Sequence, residues 1–289
     1  MPPPSYSDLG GSARDVFESP YNEGFFKIDG KTKTENNVEF KASVSSDRET
    51  GNVFGELESE YKWSEKGLTF TEKWNTDNIL TAGIKAEDHL VEGLELALEV
   101  SLSPQSGDKT TSLKSDYKTD SLHLNCDVNF DSTETNVGAA CVLGYQGWLA
   151  GYQLGMELSQ PKWTTSNFGF GYATEDFSFT TLINGAFGTN EDGEEFTGLI
   201  HHQVNPKLEG AVSLSWAARS GSTTFAIGGR YKLDESSSFS AKVNNQSHIG
   251  LCYSQALKEG LTLIVSSLID AKNINYGGLK IGLGLQFEA

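Results

Sequence analysis

The chain has 289 residues, with 22 basic and 39 acidic side chains and a formal net charge of −17, a balance that disfavours nucleic acid as a partner. Its mean hydropathy of −0.37 and 37% hydrophobic content read as soluble on a hydropathy plot. No stretch approaches the roughly 18 consecutive apolar residues of a transmembrane helix, which leaves open a membrane protein built from strands that are half polar.

Residues 1–19 lack the basic start and apolar core of a secretory signal peptide, so export to a bacterial outer membrane is not expected. Three prolines precede Ser5, and Ser5 with Asp8 resembles a helix-capping box with Asp in the Glu/Gln place. Tyr6, Leu9, Ala13, Val16 and Phe17 fall at helical spacing, while Asp8, Arg14, Asp15 and Glu18 lie elsewhere on the wheel. The Gly10-Gly11 pair weakens this helix by about 1 kcal/mol per glycine. The spacing therefore predicts a short amphipathic helix within residues 1–22 that needs a partner surface, followed by a strand-built body over 23–289.

From Gly24 the period becomes two. Successive side chains of a strand point to opposite faces. Val38, Phe40, Ala42 and Val44 share one face, with Glu39, Lys41 and Ser43 on the other; Leu94 to Leu102 sets Glu95 and Glu99 against five apolar residues. The run LHLNCDVNFD (122–131) alternates without a slip, placing Asp127 opposite the face of Leu122, Leu124, Cys126, Val128 and Phe130. Residues 207–216 put Glu209 on the polar face, and 280–289 alternate to the end. Segments of this kind number about 17 to 19 and run near ten residues, twice the usual length of a soluble strand. Ten tilted residues span a bilayer's hydrocarbon layer, and short polar turns such as Thr76-Asp77-Asn78 and Lys258-Glu259-Gly260 imply antiparallel neighbours. The pattern predicts an all-β transmembrane barrel. The longest polar interruption, residues 188–195, reads as a flexible acidic loop.

One residue breaks the alternation. In GLTFTEKW, Glu72 falls on the apolar face with Leu68, Phe70 and Trp74, which makes it a membrane-facing carboxylate unless a bulge turns it inward. The three cysteines show no disulfide framework or metal spacing, and the adjacent His201-His202 pair points to opposite faces and cannot share a metal. Phosphate-loop, zinc-protease and nucleophile-elbow signatures are absent, so no enzyme, cofactor or metal site is expected.

The segments SYSDLGGSARDVF (5–17), GLTFTEKWNTDN (67–78), VLGYQGWLAGYQ (142–153), FSAKVNNQSHIGLCYSQ (239–255) and GGLKIGLGLQFEA (277–289) resemble the mitochondrial outer-membrane porins, the voltage-dependent anion channels. The likeness runs from end to end, is close to an insect member, and the acidic composition suggests a divergent paralogue. It implies 19 strands with the first and last paired in parallel, a helix inside the pore, and voltage-gated passive diffusion of ions and metabolites such as ATP, ADP and phosphate. It also implies docking of hexokinase and Bcl-2-type regulators, possible homo-oligomers, a gating role for Asp8, Leu9, Arg14, Asp15 and Glu18, and nucleotide contacts at His248, Ile249, Gly250, Ser266, Ser267, Leu268, Ile269 and Asp270. A barrel that mainly scaffolds partners and conducts little is the alternative. Departures from the family pattern matter for selectivity: helix positions where the family often carries lysine are Gly11 and Ser19, the hinge is interrupted by Pro20 and Asn22, and Glu95 replaces a lumenal lysine. With Glu39, Glu95, Glu99, Asp127 and Glu209 facing the lumen beside Lys41, reduced anion preference or cation selectivity is expected.

Overall fold

The computed structural model describes residues 2–289 apart from 90, 132 and 190–192, and omits the Tyr276 side chain. The middle of the acidic 188–195 loop lies outside the described residues. Nineteen strands follow a short helix. The first six are β1 (Phe25–Lys33), β2 (Val38–Asp47), β3 (Val53–Trp63), β4 (Leu68–Asn75), β5 (Leu80–Glu87) and β6 (Leu94–Leu102). Next come β7 (Lys109–Lys118), β8 (Leu122–Phe130), β9 (Thr135–Tyr145), β10 (Trp148–Glu157), β11 (Lys162–Ala173), β12 (Phe177–Asn184) and β13 (Glu195–Asn205). The last six are β14 (Leu208–Ala217), β15 (Thr223–Lys232), β16 (Ser237–Asn244), β17 (His248–Lys258), β18 (Leu261–Asp270) and β19 (Leu279–Glu288).

Each strand pairs antiparallel with its sequence neighbour, and one sheet closes on itself where β1 meets β19. With an odd number of up-and-down strands the first and last run the same way, so this seam is parallel, with Phe26 opposite Leu283 and Gly30 opposite Phe287. Closure leaves no edge carrying unpaired N–H and C=O groups.

The register sorts side chains as the alternation predicts. Phe40, Leu57, Trp74, Leu98, Leu124, Phe170, Leu214, Ile227, Val265 and Ile281 all stand exposed on the outer surface. A continuous exposed apolar belt of this kind is intolerable in water and is what lipid contact requires.

The helix, α1 (Gly11–Glu18), lies inside the barrel against β13, β14 and β15. It is shorter than the spacing predicted. Residues 5–9 form hydrogen-bonded turns instead, and Gly10 adopts a left-handed φ of 74° that breaks the helical register. The Ser5–Asp8 pair caps a turn and not the helix: Ser5 Oγ donates to Asp8 Oδ2 at 2.6 Å and accepts from Asp8 N at 3.3 Å, while Gly10 is the N-cap of α1. Asp8 and Leu9 therefore precede α1, while Arg14, Asp15 and Glu18 belong to it.

Apolar contacts seat the segment. Ala13 and Val16 pack with Leu199 and Ala211, and Tyr6 and Leu9 pack with Val142. Two wall glycines make room: a Cβ on Gly151 would lie 2.8 Å from Leu9 Cδ1, and one on Gly169 would lie 2.7 Å from it. Replacing Gly151 by Val should lift residues 6–9 off the wall at a cost of about 1–3 kcal/mol; the expected readout is faster trypsin cleavage after Arg14 in lipid vesicles, with the barrel's far-UV circular dichroism unchanged.

Candidate functional site: the lumen and its inner segment

The polar face of the strands lines the lumen. Glu39, Lys41, Glu95, Glu99, Asp127 and Glu209 all point there, as the alternation requires, but four of the five acids are paired. Glu39 lies 3.1 Å from Lys31 and 3.3 Å from Lys41, which also reaches Glu58 at 3.0 Å. Glu95 pairs with Lys85 at 2.9 Å and Glu99 with Lys114 at 2.8 Å. Glu209 meets Arg230 at 2.9 Å and His201 at 3.2 Å. Asp127 differs: among the described residues it has no cation within ion-pair distance, and it accepts a hydrogen bond from Asn129 at 3.3 Å. Its carboxylate lies flat over Gly138, where any Cβ would collide with it. Most of these pairs are solvated, so each adds about 0–1 kcal/mol to stability. Their larger effect is on the field, because the walls hold acids and bases in nearly equal number. The excess negative charge sits largely in the turns, for example at Glu35, Asp88, Glu92, Asp120, Glu175, Asp176, Asp234 and Glu235.

Cations from the wall hold the carboxyl end of α1. Arg230, on β15, donates to the backbone oxygens of Asp15 at 3.1 Å and Ser19 at 2.7 Å while pairing with Glu209. Lys242, on β16, donates to Phe17 O at 2.8 Å and pairs with Glu23 at 2.8 Å. Lys242 satisfies a carbonyl that the helix leaves open, Arg230 adds a second donor to Asp15 O, which already accepts from Ser19 N, and both cations complement the helix's negative end. Asn22 N donates to the buried Ser266 Oγ at 3.0 Å, fixing the chain before β1. Burial pushes the Tyr6 hydroxyl up to about 12 and raises that of Tyr21, so both rings stay neutral beside the segment. Arg230, Lys242 and Ser266 are not identifiable as anchors from the sequence, because nothing in the spacing joins them to residues over 200 positions away.

The nucleotide contacts implied by family likeness do not form one surface. His248, Gly250, Ser266, Leu268 and Asp270 face the lumen, whereas Ile249, Ser267 and Ile269 point toward lipid, because neighbours on a strand alternate. His248, Gly250 and Leu268 line a cavity of about 400 Å³ with Arg14, Phe17 and Lys242. Ser266 is occupied by Asn22, and Asp270 accepts from Asn273 at 2.7 Å to close a turn.

Glu72 projects from the outer face of β4 with Phe70 and Trp74, between Ser59 of β3 and Ala82 of β5. The ladder carries no register shift here, which removes the bulge reading. Among the described residues it has no hydrogen-bond or ion-pair partner.

The matching family model is that of the eukaryotic porins and covers residues 2–282. The chain belongs to this family. Its barrel also resembles that of a three-site mutant of the Rh. blastica porin, with a TM-score of 0.51 at 10% identity over 92% of this chain and 98% of that one, a likeness of fold alone. This porin is 50% identical over 287 residues to the rat and human proteins named non-selective voltage-gated ion channel VDAC1 (Rattus norvegicus, Homo sapiens), covering 99% of each chain. It is 49% identical over 289 residues to the voltage-dependent anion-selective channel of Drosophila melanogaster, covering 100% of both. Mammalian and insect relatives thus stand at the same distance.

Two substitutions probe the arrangement. Arg230→Ala should strip the helix carbonyls and Glu209 of their shared partner and destabilise the docked segment by about 2–3 kcal/mol, read as hydrogen exchange of residues 11–19 rising toward the unstructured rate. Glu72→Gln should stabilise the barrel by about 1 kcal/mol, because a neutral amide is less costly than a carboxylate against lipid; urea unfolding in vesicles measures it.

Proposed function

We propose that this porin is a voltage-gated channel of the mitochondrial outer membrane that passes ions and metabolites such as ATP, ADP and phosphate with reduced preference for anions. It is a membrane pore for ions and small metabolites and not an enzyme, as its family membership states. The observation that carries the reading is a closed barrel with a wide charged lumen and one short segment docked inside it by a small set of contacts. The segment bears Asp8, Asp15 and Glu18 against Arg14, so it can feel the membrane potential. A charge crossing the whole potential gains about 2.3 kcal/mol per 100 mV, the worth of about one hydrogen bond from a charged group of the kind that holds it.

The selectivity reading rests on charge placement. The ion pairs cancel most of the wall's field, Asp127 remains unpaired, and the acidic turns concentrate cations at the mouths. Hexokinase, Bcl-2-type regulators and further copies of the chain are proposed as partners of its outer surfaces on family likeness.

Gly11 supplies a direct test. Nothing lies within 4 Å of the position its Cβ would take, so a lysine fits there without displacing a neighbour. In a planar bilayer under a KCl gradient, the native chain should show a reversal potential near zero or on the potassium side, and Gly11→Lys should move it toward chloride. A strong chloride preference in the native chain refutes reduced anion preference, and absence of conducting steps refutes the channel reading in favour of a scaffold.

A further inference from the structure

The two ends of the lumenal segment are held by different chemistry. At the carboxyl end, Arg230 and Lys242 carry fixed charges. At the amino end, Pro3 is fully buried against β9, where a Cβ on Gly144 would lie 3.1 Å from the proline ring. Its carbonyl oxygen lies 3.1 Å from Nδ1 of His123 on β8. The imidazole is 5% exposed, and its Nε2 lies 2.8 and 3.0 Å from the two carboxylate oxygens of Asp116 on β7. Asn125 Nδ2 also donates to Asp116.

Both ring nitrogens therefore face oxygen acceptors. An N–H on Nδ1 bonds the Pro3 carbonyl, while Nε2 meets Asp116 with the Asn125 amide nitrogen 3.5 Å away. Asp116 orients the ring through Nε2, which aims Nδ1 at Pro3. Around the ring, Lys118 of β7 stands at the register position opposite His123, Val142 of β9 is apolar, and Glu95, opposite Asp116 across β6 and β7, is held by Lys85.

The geometry points to His123, oriented by Asp116, as a latch that positions the amino end of the lumenal segment and holds the open pore. It rests on the channel reading for its consequence, although the latch itself can be measured without conduction. Fastening the segment at one end by two cations and at the other by a single imidazole contact makes the amino end the one that releases first.

The test uses the full chain in lipid vesicles, comparing the native protein with His123→Ala and Asp116→Asn. The second variant keeps the hydrogen-bonding shape but removes the counter-charge, and so covers the case in which the first does not fold. Hydrogen exchange, corrected for intrinsic rates, should show residues 5–10 about tenfold less protected in both variants at pH 6, the worth of about one hydrogen bond, with β8 unchanged. In planar bilayers at a fixed voltage, the ratio of open to closed time should fall about tenfold in the variants at pH 6. Protection within twofold of native overturns the latch. Altered exchange with unaltered gating leaves the latch in place and overturns its role in holding the pore open.

Discussion

A peptide group in the hydrocarbon layer has no water to bond, and this constraint governs the whole molecule. Each strand must spend its N–H and C=O groups on two neighbours, and only a closed sheet gives every strand two. Closure with 19 strands forces the parallel β1–β19 seam and places residues on either side of it hundreds of positions apart in sequence. It also fixes the two-face rule: once register is set, every side chain is assigned to lipid or to lumen with no intermediate choice. The position of Glu72 in lipid and of Asp127 in the lumen both follow from parity.

The lumenal segment is a second structure built on the first. A barrel this wide cannot fill its interior with wall side chains alone, so the segment supplies a partial plug and the wall adapts to it. Gly151 and Gly169 yield volume to Leu9, and Leu199 and Ala211 receive Ala13 and Val16. The polar anchors at its ends add direction to an otherwise oily contact. Few of these contacts are large, which suits an element that must stay docked yet remain movable.

The barrel was legible in the sequence because its signal is local and repeated. The faces of 38–44, 94–102 and 122–130 follow from counting alone, and Glu72 stood out as the position that breaks the count. The exact helix was less legible: Tyr6 to Phe17 keep helical spacing, but Gly10 takes a left-handed conformation and divides the run in two. Ion pairing was not legible at all. Glu39, Glu95, Glu99 and Glu209 could be placed in the lumen, but whether each faces water or a lysine depends on strand register. That register set Glu99 one diagonal from Lys114 and Arg230 beside Glu209. The likeness to relatives carried the strand count and the seam, which alternation left open.

The seam has a kinetic meaning as well. β1 can find its second partner only after β19 exists, so the last contact to form joins the two ends of the chain. Until then both outer strands present unpaired edges and a half-built belt of aromatic and aliphatic side chains. Such a chain folds slowly and is prone to aggregate in water. It must be delivered as a complete polypeptide, kept from its own kind on the way, and closed only within the membrane that receives it.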